Sequence, residues 1–236
     1  MEQKEKGRRY VPSQRGHRLV LPPHPDAPNP IDLKAISQWI RSIKSPTAVD
    51  LFCGAGGLSL GLKNSGFEVL VGADSDPFSV ETHTANIGGI GYLGDLTDTN
   101  DFLNCLDAWH IRKVDLVAGG VPCQPFSRAG RSKIRSLVHS GVRDAEDPRT
   151  KLWRSFVCVV KALKPRLVIL ENVPDLALWD EGSVLIGFRE SLRELGYRST
   201  IRIVNAYEHG VPQHRARLFV VGLREGYDFE WPAGSK

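Results

Sequence analysis

The sequence has no run of apolar residues approaching the roughly 18 that a membrane span needs. Its start, MEQKEKGRRY, has no apolar stretch behind it to act as a secretory signal. A cytoplasmic protein is the expectation. The four cysteines, Cys53, Cys105, Cys123 and Cys158, show neither C-x-x-C spacing nor a histidine cluster beside them. That argues against a zinc site, and a reducing compartment argues against a disulfide framework. No metal is expected, so each cysteine serves either packing or chemistry. There is no internal repeat to suggest a solenoid. Nor does the body of the chain carry excess charge: residues 1–18 hold six Lys/Arg against two Glu, and the remainder has 25 of each sign.

What is present is a chain of 236 residues, 41% hydrophobic and 25% charged, enough for one α/β domain with a short appendage. Seven of its 15 prolines fall between Pro12 and Pro46. Residues 1–30 read as extended or disordered, and IDLKAISQWIRSI reads as a helix leading into the domain. Residues 1–45 therefore form an extension and 46–230 the main domain. Within it, TAVDLF, FEVLVGA, KVDLVAG, RLVIL, STIRIV and RLFVVGL read as strands. Helical stretches separate most of them, namely Leu58–Asn64, Phe78–Asn86, Asp101–Trp109, Lys151–Leu163 and Val184–Leu195. This alternation predicts a mostly parallel sheet with helices on both faces. Only a loop joins STIRIV to RLFVVGL, which predicts an antiparallel last strand.

Ligands of such sheets sit beyond the carboxyl ends of the strands, so the residues found there matter most. The first strand ends in FCGAGG, where Gly54, Gly56 and Gly57 permit a tight turn and close approach of a ligand to a helix start. A dinucleotide fingerprint would have a third glycine where Ser59 stands. Asp74 ends the second strand, where it can bind ribose hydroxyls, and Asp95 follows the third. Together these point to an adenosine-bearing cofactor; a set of helix caps and turns is the plainer alternative.

GGVPCQPFS is more specific. Pro122 and Pro125 fix the backbone on either side of Cys123 and present it on a stiff loop. Cys53, Cys105 and Cys158 read as packing residues instead. Arg128 to Arg143 contains five basic residues and no carboxylate, suited either to a polyanion or to solvent. ENVPD sets Glu171 at the end of a strand expected to be buried, where a carboxyl group can serve acid–base chemistry. QHRAR places Arg215 and Arg217 two residues apart, on one face of a strand, where they can pair with Glu171 or bind a planar substrate.

In order, DLFCGAGG, ADSD, GDL, GGVPCQPFS, DPRTKL, ENV and YEHGVPQHRARLF resemble the motifs of the DNA (cytosine-5)-methyltransferases, from about Thr47 to Glu230. The resemblance implies a Rossmann-like, S-adenosylmethionine-dependent methyltransferase sheet. It also implies that Cys123 attacks carbon 6 of cytosine and that carbon 5 then takes the methyl group. Glu171 would contact the ring, with Arg215 and Arg217 holding Glu171 and the base. Phe52 would stack on the adenine, with Gly54, Gly56, Gly57 and Leu58 against the methionine part. Asp74 and Ser75 would lie around the ribose, Asp95 and Leu96 at the adenine edge, and Leu152 at the side. Duplex DNA is the implied partner, with the target base flipped out. Gln124, Ser127, Arg128 and Arg131 would meet the nucleic acid.

The family's order continues with a target-recognition region and a final C-terminal motif, and neither is found before the sequence closes on FEWPAGSK. The expectation is a catalytic part that needs a second polypeptide for recognition, or a fragment. The alternatives are a non-catalytic methyltransferase-fold scaffold or DNA-binding module, and an RNA cytosine-5 methyltransferase. A nicotinamide dehydrogenase also uses a glycine turn and an acid, but gives Cys123 and Glu171 no role.

Overall fold

The computed structural model describes residues 21–22, 24–122 and 152–234. Helix α1 (Leu33–Ser42) begins where the Asp32 carboxylate accepts the Ala35 N–H at 2.9 Å, an N-cap that satisfies a backbone donor left free at the helix start. Its Ile36 is fully buried in the main core, and Trp39, Ile40 and Ile43 pack against the same cluster. The helix is thus docked onto the domain that follows.

Alternating elements come next: β1 (Thr47–Leu51), α2 (Gly57–Asn64), β2 (Glu68–Asp74), α3 (Pro77–Ile87), β3 (Ile90–Leu93), α4 (Asn100–Ala108) and β4 (Leu116–Gly120). After residues 123–151 the chain continues with α5 (Leu152–Leu163), β5 (Leu167–Asn172), a 3-10 stretch (Pro174–Gly182), α6 (Ser183–Glu194), β6 (Tyr197–Asn205) and β7 (Ala216–Arg224). The predicted helices lie within a residue or two of these bounds. The 3-10 stretch has no counterpart in the sequence reading. It folds there around left-handed Asp180, Glu181 and Gly182.

The seven strands form one sheet in the order β3-β2-β1-β4-β5-β7-β6. The first five are parallel, and β7 runs antiparallel to both β5 and β6. The antiparallel last strand is as predicted; its insertion between β5 and β6 is not evident in the sequence. Central strands β1, β2 and β4 are buried almost throughout, as a parallel sheet covered on both faces requires. On one face Leu62 of α2 and Ile87 of α3 pack with Ala48, Val69, Leu116 and Ala118. The larger core contains Phe102 and Leu106 of α4, Phe156 and Val160 of α5, and Phe188 and Leu192 of α6. Helix α5 buries Leu152, Ser155, Phe156, Val159, Val160 and Leu163, one continuous stripe at helical spacing. Among the described residues, no helix is long and apolar enough to cross a membrane.

Candidate active site

The parallel strands all end on the same edge of the sheet, and that edge carries the groups singled out in the sequence. After β1 the chain passes through left-handed backbone at Phe52 (φ 58°), Gly54 (φ 53°) and Gly56 (φ 98°) before entering α2. Glycine is required at Gly56, where an added Cβ would also lie 2.7 Å from Ile87 and 3.2 Å from His83. At Gly54 and Gly57 an added Cβ would meet no atom of the described residues within 4 Å. The turn is tied to β2 by Asp74: one carboxylate oxygen accepts the Gly54 N–H at 2.9 Å and the other the Asp76 N–H at 2.9 Å. A carboxylate has about four acceptor positions, so Asp74 keeps capacity for a ligand's hydroxyls. Phe52 is half-buried against the main core, and Leu58 packs against the smaller cluster. Ser75 is exposed. So is Asp95, whose carboxylate accepts the Thr97 N–H at 2.9 Å. Leu96 and Leu152 are buried in the main core.

At the other half of the edge, Glu171, next to last in β5, lies opposite Gly120 of β4. Glycine leaves room there, since an added Cβ at Gly120 would lie 3.3 Å from Glu171 Oε2. Arg217 of β7 places Nε 2.9 Å from Glu171 Oε1, and both side chains are about a quarter exposed. The strand carrying Glu171 is therefore not sealed on both faces at this point. Among the described residues Arg217 alone forms the pair; Arg215 lies before β7 begins and is exposed. Its backbone instead closes the preceding loop, donating N–H to Asn205 and accepting from Ala206. Cys123, Gln124, Ser127, Arg128 and Arg131 lie outside the described residues.

Several residues that the sequence reading passed over shape this edge. Asn172 is buried; its amide donates to the Val121 carbonyl at 3.1 Å and its oxygen accepts the Val173 N–H at 2.9 Å. It therefore fixes the backbone two residues before Cys123. An added Cβ at Gly119 would lie 2.5 Å from the Leu51 carbonyl, so glycine allows β4 to approach β1. Asp76 caps α3, accepting from both the N–H and the hydroxyl of Ser79, and the hydroxyl bond holds its carboxyl below the ordinary range. The D-P pair at the helix start was the available signal.

Beneath the glycine turn lies a buried polar cluster. Ser59 donates its hydroxyl to Asp50 Oδ2 at 2.6 Å, and its oxygen is 2.9 Å from His83 Nε2. All three residues are fully buried. Burial pushes the Asp50 carboxyl up to about 7, opposed by the Ser59 hydrogen bonds and aided by the charges of Asp74 and Glu171. Burial pushes the His83 imidazole down to about 4, with Asp74 opposing and Lys63 adding. Gly72 makes the space, since a Cβ there would lie 2.2 Å from the His83 ring. Among the other cysteines, Cys53 is buried and its thiol pKa pushed up by that burial, as a packing residue should be. Cys158 differs from expectation: it is exposed on α5 and accepts a hydrogen bond from Thr99.

This sheet order, with a glycine turn and acids along its carboxyl edge, is that of the S-adenosylmethionine-dependent methyltransferases. A prophage-encoded E. coli protein designated a DNA modification methyltransferase superposes with a TM-score of 0.64 at 26% identity, covering 77% of this chain and 47% of that one. The chain belongs to the C-5 cytosine-specific DNA methylase family, whose model matches residues 47–235. Among its relatives, the type II methyltransferase M1.HphI of Haemophilus parahaemolyticus is 37% identical over 201 residues, which are 85% of this chain and 52% of that protein. The type II methyltransferase M.AquIA of Picosynechococcus is 32% identical over 195 residues, 78% of this chain and 74% of that protein. The chain thus spans about half the length of the first relative and three quarters of the second.

Proposed function

We propose that the chain is the catalytic part of an enzyme that methylates carbon 5 of cytosine in DNA. The observation carrying this reading is the Glu171–Arg217 pair, held at 2.9 Å beside Gly120, three residues before Cys123. S-adenosylmethionine supplies the methyl group when bound. The open space at Gly54 and Gly57, the remaining acceptor capacity of Asp74 and the half-buried Phe52 ring fit such a ligand. Ser75, Asp95, Leu96 and Leu152 would complete its surroundings.

Cys123, as its thiolate, adds to carbon 6 of the cytosine and makes carbon 5 nucleophilic. Glu171, in its acid form for this step, donates its proton to ring nitrogen 3 and accepts from the exocyclic amine, which neutralises the charge that the addition develops on the ring. Arg217 keeps the Glu171 carboxyl group aimed across the end of β5, and the exposed Arg215, in the loop before β7, would help to hold the base. Once carbon 5 carries the methyl group, solvent water takes its proton, Cys123 leaves as the thiolate as the double bond between carbons 5 and 6 is restored, and the nitrogen 3 proton returns to Glu171. The reacting carbon lies inside a stacked duplex, so the base must leave the stack, at a few kcal/mol. Gln124 and Ser127 would contact the DNA at that position, and Arg128 and Arg131 the phosphates. Target recognition would come from a part beyond these residues, on a second polypeptide or on more of the same one, since about half the length of M1.HphI has no counterpart in these residues.

The test is methyl transfer from labelled S-adenosylmethionine to duplex DNA and, in parallel, to transfer RNA, with the chain alone and with the product of the adjacent reading frame. Transfer to DNA that depends on the added protein, at discrete sites, is the expected result. Strong site-specific transfer by the chain alone overturns the second-polypeptide part, and transfer only to RNA overturns the substrate. The covalent step is read separately on duplexes containing 5-fluorocytosine, whose fluorine cannot leave as the proton does. A trapped adduct in the wild type and none in Cys123→Ser is expected.

A further inference from the structure

We infer that Asp50, Ser59 and His83 form a buried positioning unit that sets the conformation of the glycine turn and thereby the affinity of the cofactor site. The inference rests on the cofactor reading given above. The turn from Phe52 to Gly57 contains three left-handed residues, one of them the bulky Phe52. Such backbone persists only where its surroundings over-determine it. Asp74 fixes the tip through Gly54, but that contact restrains neither end of the turn.

The ends are joined by the 2.6 Å hydrogen bond from Ser59 to Asp50. Asp50 is two residues before Phe52, and Ser59 is two residues after Gly57, in the first turn of α2. This bond closes the chain on itself across the base of the turn. His83 braces it from α3. With Asp50 ionised, the single Ser59 proton goes to Asp50 and the Ser59 oxygen accepts the Nε2–H of His83. The imidazole is itself located by its neighbours: it occupies the Cβ position missing at Gly72 and lies close to that missing at Gly56. Asp50 Oδ1 and His83 Nδ1 are left buried without a hydrogen-bond partner. A polar unit that leaves two such atoms is costly compared with an apolar filling of the same space. What an apolar filling lacks is direction, and a directional tie between β1, α2 and α3 is what the turn needs.

The experiment measures binding of S-adenosylmethionine and of S-adenosylhomocysteine to the full chain by calorimetry, for wild type, Ser59→Ala, Ser59→Thr and His83→Gln. Circular dichroism confirms that each variant is folded at the temperature used. Leu192→Ala, in α6 within the larger core, serves as a control that loses stability without touching the turn. Ser59→Ala is expected to weaken both ligands about tenfold. Ser59→Thr, which keeps the hydroxyl, is expected to recover most of that loss, with His83→Gln between. In methyl-transfer assays the loss should fall on KM for the cofactor, with kcat at saturation within about twofold. Unchanged affinity in Ser59→Ala, or an equal loss in Leu192→Ala, overturns the inference. If Ser59→Ala does not fold, the same comparison is read from Ser59→Thr and His83→Gln, and wild-type affinity in His83→Gln overturns it. Failure of the wild type to bind either ligand would instead strike the cofactor reading itself.

Discussion

Strands β1 and β2, with helices α2 and α3, hold Asp50, Ser59, His83 and Asp74 inward or against backbone. Asp50, Ser59 and His83 are sealed beneath a glycine turn, and Asp74 spends one bond on each of two amides. Strands β4, β5 and β7 instead present Glu171 and Arg217 to each other with about a quarter of each side chain exposed. Buried hydrogen bonds fix a backbone shape. A partly exposed ion pair contributes little to stability but leaves a charged group accessible to a substrate. Under the proposed function, binding geometry falls to the first half and chemistry to the second, and each half should fail in its own way.

The largest effects should come from the second half and be seen in rate alone. Cys123→Ser is expected to lower methyl transfer by more than about 10³-fold, and Glu171→Gln by about 10²–10³-fold, the range of general acid and electrostatic contributions. Cofactor affinity and melting temperature should stay close to wild type in both. Arg217→Ala should lower kcat in the same direction, because Glu171 loses its partner, with a stability change of no more than about 1 kcal/mol. A melting point that collapses in Glu171→Gln would break the comparison, since the pair would then be holding the fold.

The first half should reveal itself through pH. Asp50 titrates at about 7 in the folded chain against an ordinary 3.8, so between those values the folded state retains a proton that the unfolded state has released. Its contribution to stability is therefore full below about 4 and is lost as pH rises towards 7. His83 runs the other way, at about 4 against 6.5. Its contribution is present above 6.5 and lost as pH falls to 4. Taken alone, the two shifts amount to roughly 3–4 kcal/mol each, of opposite sign. The wild type should accordingly show a shallower dependence between pH 4 and 6.5 than either variant. In urea unfolding, His83→Gln should lose stability as pH rises through this window, relative to wild type, and Asp50→Asn should gain it. Parallel curves for all three proteins would mean that these groups do not titrate as their burial requires.

Much of this arrangement was legible in the sequence. The strand–helix alternation, the glycine turn and the acid of ADSD announce a parallel sheet with a ligand at its edge. The position of Glu171 follows once RLVIL is read as a strand. The buried cluster could not be found in the same way, because Asp50, Ser59 and His83 are 9 and 24 residues apart along the chain and meet only through tertiary packing. Ser59 showed itself only as the residue standing where a third glycine was sought. Spacing placed Arg215 and Arg217 on one strand face, but β7 starts at Ala216, so only Arg217 enters the sheet. Where a strand begins depends on its partners, and β7 takes its place between two strands that precede it in sequence.

Gly72→Ala tests whether the cluster has the space assigned to it. A Cβ at this position would lie 2.2 Å from the His83 ring, so alanine must displace the imidazole. A loss of about 1–3 kcal/mol is expected, as for other overpacked cores. Combining it with His83→Ala should recover part of that loss, because the ring is what the methyl group strikes. Additive losses would place the strain elsewhere.

The smallest effect expected separates stability from binding most cleanly. Gly57 opens α2 without positive φ, and nothing among the described residues lies within 4 Å of an added Cβ. Alanine there should stabilise the protein by about 0.4–1 kcal/mol, because it narrows the unfolded ensemble without straining the folded one. If the space in front of Gly57 belongs to the cofactor, the same methyl group should weaken S-adenosylmethionine binding while the melting temperature rises. Gly56→Ala is the contrasting case: left-handed φ and a 2.7 Å approach to Ile87 should make it lose stability first. A Gly57→Ala protein that is both more stable and unimpaired in binding would move the cofactor away from the start of α2, and with it the role assigned to the turn.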